Sequence, residues 1–340
     1  MAGKINRQWI LAARPPAEPQ VSNFKLVEQP IPKPGDGEIL IRAVYLSLDP
    51  YMRGRMREGK SYVPPVALGA VMEGGVVGQV MESRNPGFKP GDYVESRIGW
   101  QEYAVSDGKG VRVIDPGLAP ISTALGVLGM PGMTAYFGTF DVAQPKAGET
   151  FVVTAASGAV GALVMQIGKI VGCRMVGIAG GKAKCDYVKT ELGADAVIDY
   201  RGTKDLRADL KAACPDGVDV FFDNVGGSIF DAVISRINLR ARIAICGMIA
   251  EYNLEKPELA PRPTPHLLIN RARIEGFIVF DFAKRYPEGM RQMAEWIKQG
   301  KLKYKEDIID GFEHAPRALL RLFKGENFGK QLVRVAPEQI

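Results

Sequence analysis

Apolar and polar positions alternate in short runs through the first third of the chain, at Ile39 to Val44, Gly75 to Met81, Tyr93 to Ser96 and Gln101 to Val105. The turn sequences Lys33-Pro34-Gly35-Asp36-Gly37 and Phe88-Lys89-Pro90-Gly91-Asp92 punctuate them, which predicts an irregular all-β domain up to about residue 120. From Thr150 the texture changes. Apolar, β-rich runs at Phe151 to Thr154, Met175 to Ile178, Ala196 to Ile198, Val218 to Phe222, Ile243 to Cys246 and Ile274 to Phe280 now alternate with helix-period segments. Strands separated in this way by helices are βαβ units, which join parallel strands and cover both faces of an open sheet. The first of these helices has Val160, Leu163, Val164, Ile167, Ile170 and Val171 at helical spacing, with Gly172 ending the run. After a helix at Glu288 to Gln299, the tail reads as a strand near Ile308 and Ile309, a helix from Pro316 to Phe323 and a strand from Gln331 to Val335. By pattern alone these last strands could complete either domain.

Ile121 to Phe140 carries no charge and is as long as a membrane span. Gly126, Gly129, Pro131, Gly132 and Gly138 interrupt it, predicting two buried helical pieces broken at Met130-Pro131-Gly132 and no membrane helix. The 340 residues, 46% apolar and 24% charged, exclude disorder as a description of the whole chain. His266 and His314 are the only histidines, so one chain cannot build a three-imidazole metal site. Cys173, Cys185, Cys214 and Cys246 are spaced as neither a zinc knuckle nor a disulfide framework. The apolar run Trp9 to Ala13 is too brief for a signal-peptide core, so a reduced, cytoplasmic compartment is expected. The net charge of +6 is scattered, its densest run being Arg53, Arg55 and Arg57; that suits a small anionic ligand and gives no nucleic-acid stripe.

Between the first strand and helix of the second half stands Ala156-Ser157-Gly158-Ala159-Val160-Gly161, an A-x-G-x-x-G form of the dinucleotide fingerprint. In that context Gly158 admits a pyrophosphate to the backbone, Gly161 lets helix and strand pack closely, and the helix N-terminus supplies N–H groups. The alternative is a tight turn with no ligand. An NAD enzyme usually has a carboxylate at the end of the second strand to bind the ribose hydroxyls. Here Ile178-Ala179-Gly180-Gly181-Lys182-Ala183-Lys184 has none before Asp186. Two lysines in its place suit the 2′-phosphate of NADPH, although they could also be a solvated helix start.

The chain resembles the zinc-free medium-chain dehydrogenases/reductases, and among them the leukotriene B4 dehydrogenase/prostaglandin reductase and alkenal double-bond reductase branch that includes the curcumin reductases. The motifs carrying this resemblance are Asp49-Pro50-Tyr51-Met52-Arg53, Ala155 to Gly161, Asp223-Asn224-Val225-Gly226-Gly227, Cys246-Gly247-Met248-Ile249-Ala250-Glu251-Tyr252-Asn253 and Asn327-Phe328-Gly329-Lys330. It implies an α/β protein with a GroES-like irregular β domain for substrate, residues 1–127 and 302–340, and a Rossmann doubly wound parallel-sheet domain for NADPH, residues 128–301. It also implies NADPH-dependent reduction of a carbon-carbon double bond conjugated to a carbonyl, a small enone or enal substrate, and a homodimer. Cofactor contacts then fall to Gly158, Ala159, Val160 and Gly161 at the pyrophosphate, and to Lys184 and Tyr200 at the 2′-phosphate. Asn224, Cys246, Gly247, Met248, Ile249, Tyr252, Phe277, Ile278, Val279, Phe280 and Asn327 surround its other parts.

Zinc-dependent relatives need Cys and His ligands in the first domain, and none of the first 150 residues is either; the expectation is a metal-free enzyme. Conjugate hydride transfer with a hydrogen-bonded enolate suits that condition. Tyr252 is the candidate donor, because it follows a strand's carboxyl end and a phenol of ordinary pKa, about 10, is neutral at pH 7. Its other reading is a packing tyrosine. Tyr51 is a second candidate, for the substrate pocket, or a buried aromatic, while Asp49 and Arg53 are expected to fix their own loop. Two further functions fit the same chain: an NADPH quinone reductase, and a non-catalytic NADPH-binding regulator. The loops Met56 to Val66 and Tyr252 to Pro265 carry no readable substrate code.

Overall fold

The computed structural model describes residues 5–338; the outer ends of the expected first domain, 1–4 and 339–340, lie outside the described residues. Strand β1 (Ile5–Leu11) pairs antiparallel with β2 (Phe24–Pro30). Then come β3 (Ile39–Ser47), the short helix α1 (Met52–Arg55), β4 (Val76–Ser83), β5 (Tyr93–Ser96), β6 (Tyr103–Ser106) and β7 (Arg112–Ile114). Every residue of β3 is buried, and it pairs with both β4 and β6 as the centre of an antiparallel sheet.

The expected pair of helical pieces from Ile121 is only partly found. A 3-10 turn, Ile121–Leu125, precedes helix α2 (Met130–Phe137), and Pro131 lies in the first turn of α2. Pro131 therefore starts this helix, where its missing N–H costs nothing, instead of breaking one. Among the described residues no helix is long and apolar enough to cross a membrane.

Next, β8 (Thr150–Thr154), α3 (Gly161–Val171), β9 (Arg174–Ala179), α4 (Lys182–Thr190), β10 (Ala196–Asp199), α5 (Leu206–Ala213), β11 (Val218–Asp223), α6 (Gly227–Ile234), β12 (Ile237–Ile245), α7 (Thr264–Asn270) and β13 (Arg273–Gly276) alternate as the periodicity predicts. The strands form a parallel sheet in the order β10-β9-β8-β11-β12-β13, the doubly wound arrangement whose order reverses at its first strand. Helix α3 buries Leu163, Val164 and Ile167, and Gly172, at φ +94°, closes it in the left-handed conformation. Strand β13 is shorter than expected. Its pairing with β12 ends at Gly276, and Val279 opens a 3-10 turn.

Helix α8 (Tyr286–Lys298) is followed by β14 (Glu306–Asp310), α9 (Ala315–Phe323) and β15 (Lys330–Arg334); the two strands complete the first sheet, in the order β14-β15-β3-β4-β5-β7. The chain forms two compact units. One holds the residues up to Leu125, Asp307–Asn327 and the segment from Gln331; the other holds Gly126–Glu306 and Phe328–Lys330. Residues 302–306 and 328–330, which the resemblance put in the first domain, thus pack with the second. Leu302 is buried in the core around α3, Lys330 N–H donates to the Lys305 carbonyl at 2.8 Å, and Gly329 bridges Gly158.

Candidate functional site

Six strands of the second unit end on the same edge of the sheet, and the candidate cofactor residues of that unit follow those ends. After β8 the chain turns through Ala155, at φ +49°, into the phosphate loop. A Cβ on Gly161 would lie 2.3 Å from the Ala155 carbonyl oxygen, so only glycine allows this approach of helix to strand. Gly158 is different: a Cβ there would meet Ala155 O at 3.2 Å, and Ala155 Cβ at 4.0 Å, with nothing else close. No side chain caps α3; the Ala162 and Leu163 N–H groups donate to the Gly158 and Val160 carbonyls at 3.1 and 3.0 Å, and the positive end of the helix dipole faces the loop. An open face over Gly158 and an uncapped helix start fit a pyrophosphate.

Beside this loop, where the strand order reverses, a clasp joins β8 to β11. Thr154 Oγ1 donates to Asp223 Oδ1 at 2.7 Å and accepts from Asn224 N–H at 2.8 Å, while Asn224 Nδ2 donates to the Thr154 carbonyl at 2.8 Å. Asp223 also accepts from the N–H groups of Val225 and Gly226, at 3.0 and 2.9 Å. Burial raises the Asp223 carboxyl above its usual range, and these bonds pull it partly back. The clasp fixes Asn224 and the following glycine turn. Its partners are 69 residues apart, and neither Thr154 nor Asp223 carries a role by sequence pattern alone.

The Asp223 carbonyl then accepts from Cys246 N–H at 2.8 Å and Gly247 N–H at 3.2 Å, tying the loop after β12 to the same corner. Glu251 Oε1 accepts from Gly227 N–H at 3.0 Å. The half-buried Tyr252 folds back within this loop, its hydroxyl oxygen accepting from Met248 N–H at 3.3 Å. Phe277 packs edge-on against Phe222, ring centroids 6.0 Å apart, and Val279 is buried, so both belong to the core, while Ile278 and Phe280 are half-buried.

At the ends of β9 and β10 the two lysines differ in exposure. Lys182 Nζ bonds Asp186 at 2.6 Å, one helical turn on, and is largely exposed; Lys184 is half-buried. Tyr200 lies over Gly180, where a Cβ would be 2.7 Å from its ring. Asp199 turns inward to accept Gly181 N–H at 2.8 Å. Lys184, Tyr200 and Arg201, whose guanidinium carbon lies 5.9 Å from the Tyr200 ring, follow these strand ends.

In the first unit Tyr51 stands at the start of α1, half-buried, its ring 5.6 Å from the Arg55 guanidinium carbon. Arg55 is itself buried, pairs with Glu73 at 2.6 Å and carries the Tyr62 ring at 4.4 Å. Burial raises the Tyr51 phenol far above the ordinary tyrosine range, so it stays neutral. Arg53 donates to the Pro15 and Ala17 carbonyls at 3.2 and 2.6 Å, and Ser47 Oγ donates to Asp49. Asn327 belongs to the first unit, one residue before the segment that packs in the second. Burial pushes the Cys246 thiol up to about 12 and those of Cys173, Cys185 and Cys214 up to about 11, so none is a thiolate at neutral pH. Among the described residues no group of three His, Cys, Asp or Glu could hold a metal ion.

A dinucleotide corner on a doubly wound sheet, in a chain that also holds an antiparallel β unit, defines a nucleotide-dependent oxidoreductase of two units. Residues 7–114 match the family described as "N-terminal domain of oxidoreductase" and residues 159–299 the one described as "Zinc-binding dehydrogenase". The chain is 47% identical over 336 residues to the NADPH-dependent curcumin reductase of Escherichia coli (strain K12), covering 97% of each chain. It is 44% identical over 340 residues to the 2-alkenal reductase (NADP(+)-dependent) of Nicotiana tabacum, covering 98% of each. The crystal structure of CurA from Vibrio vulnificus in complex with NADPH superposes with a TM-score of 0.94 at 46% identity, over 98% of this chain and 100% of that one. The chain belongs to the zinc-free medium-chain dehydrogenases/reductases, in the branch of the curcumin, alkenal and prostaglandin reductases.

Proposed function

We propose that this protein uses NADPH to reduce the carbon-carbon double bond of small α,β-unsaturated ketones and aldehydes. The observation that carries the cofactor half is the pairing of an open Gly158 with Lys184 and Tyr200, and no ribose-binding carboxylate, at the end of β9. The names of relatives at 44 to 47% identity support the substrate class. Bound NADPH supplies the hydride. Gly158 and Gly161 admit its pyrophosphate to the backbone, Lys184 and Tyr200 flank the 2′-phosphate, and Asn224 and the loop from Cys246 to Ile249, with Phe277 to Phe280 and Asn327, enclose the rest. Tyr252 donates a hydrogen bond to the substrate carbonyl as negative charge gathers on its oxygen. Tyr51 lines the substrate pocket as a neutral phenol. A panel of enals, enones and quinones assayed for NADPH oxidation tests this reading: kcat/KM is highest for an enone or enal, and a quinone in first place points to a quinone reductase instead.

Cofactor choice yields a separate expectation. Lys184→Ala weakens NADPH but not NADH, by the roughly 1.5 to 3 kcal/mol of a charge-assisted hydrogen bond, read as dissociation constants for both coenzymes. Equal affinity of the unmodified protein for the two would remove the role of Lys184.

The protein acts as a homodimer in the cytoplasm, where its four free thiols suit a reducing medium. Helix α7 buries none of its residues, Leu268 and Ile269 are 79% and 69% exposed, and the neighbouring β13 ends the strand order of its sheet. Apolar exposure beside an open strand edge suits a self-complementary contact. In sedimentation the Leu268→Asp, Ile269→Asp double variant runs at half the mass of the unmodified protein; an unmodified protein that is already monomeric at micromolar concentration would refute the dimer.

A further inference from the structure

We propose that Lys305 is an additional anchor for the phosphates in the adenosine half of the cofactor, a role resting on the NADPH reading above. The segment carrying it is locked to the phosphate loop. Gly158 and Gly329 form a parallel bridge, and Lys330 N–H donates to the Lys305 carbonyl at 2.8 Å. Gly329 takes φ +86°, and a Cβ there would lie 2.2 Å from that carbonyl oxygen, so this packing requires glycine. A recess is lined by Gly158, Ala159 and Ala162 on one side and by Lys305 and Gly329 on the other.

The ammonium of Lys305 is positioned but not neutralised. Its Nζ stands 4.4 Å from the centre of the Phe328 ring and 5.7 Å from that of Tyr187, and the two rings meet edge to face at 5.1 Å. Two aromatic rings orient a cation through their quadrupoles and leave its charge available. Among the described residues no carboxylate forms an ion pair with Lys305, although the exposed Lys182, Lys169 and Lys303 each have one. Tyr187 lies on α4 three residues beyond Lys184, on the same helix face. Lys305 therefore stands between the phosphate loop and the helix that carries Lys184, with its charge unspent. An anionic group seated on Gly158 or beside Lys184 is the partner this arrangement suits.

The test measures dissociation constants for NADPH and NADH with the full-length protein and with Lys305→Met, Lys305→Arg and Lys184→Ala, alongside the melting temperature of each without coenzyme. Lys305→Met keeps an apolar stem on Phe328 and removes only the charge. It raises the NADPH constant about 10-fold, as loss of a charge-assisted bond does, with an unchanged melting temperature, and Lys305→Arg restores binding. A parallel loss for NADH assigns the contact to the pyrophosphate; a loss confined to NADPH, as for Lys184→Ala, assigns it to the 2′-phosphate. A Lys305→Met protein that binds NADPH like the unmodified one overturns the proposal, as does weakened binding explained by a lower melting temperature that Lys305→Arg shares. An unmodified protein that binds neither coenzyme would instead defeat the NADPH reading itself.

Discussion

Tyr252→Phe is expected to lower kcat for enone reduction by roughly 100-fold to 1,000-fold, the usual effect of losing one oxyanion donor, while NADPH affinity changes little. The variant keeps the ring, so its packing in the loop after β12 survives. What it also removes is the acceptor for Met248 N–H, at 3.3 Å. Met248 is 46% exposed, so water can replace that bond and the loop loses little. If the hydroxyl acts mainly in the transition state, kcat and kcat/KM fall together, whereas a contact that only positions substrate raises KM. Tyr51→Phe is the comparison. Full turnover by Tyr252→Phe, with Tyr51→Phe severely impaired, would leave Tyr252 as a packing residue of its loop and move the donor to the first unit.

The second large effect separates the two glycines of the phosphate loop. Gly161→Ala puts a methyl group 2.3 Å from a backbone oxygen that belongs to the adjoining turn, and neither side can yield without moving the start of α3. The protein without coenzyme loses roughly 1 to 3 kcal/mol, the usual cost of overpacking, and NADPH binding falls with it. Gly158→Ala meets only the Ala155 carbonyl and methyl, at 3.2 and 4.0 Å, so the melting temperature without coenzyme stays within a few degrees. Its methyl group projects where the pyrophosphate would approach, and the NADPH dissociation constant rises. Thermal unfolding with and without NADPH distinguishes the pair. A Gly158→Ala protein that binds NADPH normally would mean that the loop is a tight turn with no phosphate on it.

The parallel half of the fold is readable because its central strands β8, β9 and β11 are buried along almost their whole length, which leaves unbroken apolar runs in the sequence, and because α3 carries its apolar residues at helical spacing. Strands β1 and β2 were not read, for the converse reason. β1 buries Asn6, which gives Nδ2 to the Tyr103 carbonyl at 2.9 Å and accepts Tyr103 N–H at 2.9 Å, so a polar residue does the work that pattern analysis looks for in an apolar one. The phosphate loop was legible because its glycines, strand and helix are contiguous. The Thr154–Asp223 clasp and the Gly158–Gly329 bridge were not, since each joins segments remote in sequence. Lys182 and Lys184 are equivalent as a pair in the sequence; the ion pair of Lys182 to Asp186, one turn along α4, shows only in the structure.

The most direct measurement follows the hydride into product. The purified protein is incubated with an acyclic aryl enone and NADPH carrying deuterium at the transferable position, in the presence of a chelator, and the product is examined by nuclear magnetic resonance. A saturated ketone with deuterium on the former β-carbon is expected, at a rate the chelator does not change. An allylic alcohol with deuterium on the carbonyl carbon, or recovered enone from a preparation that oxidises NADPH only with quinones, would contradict metal-free conjugate reduction.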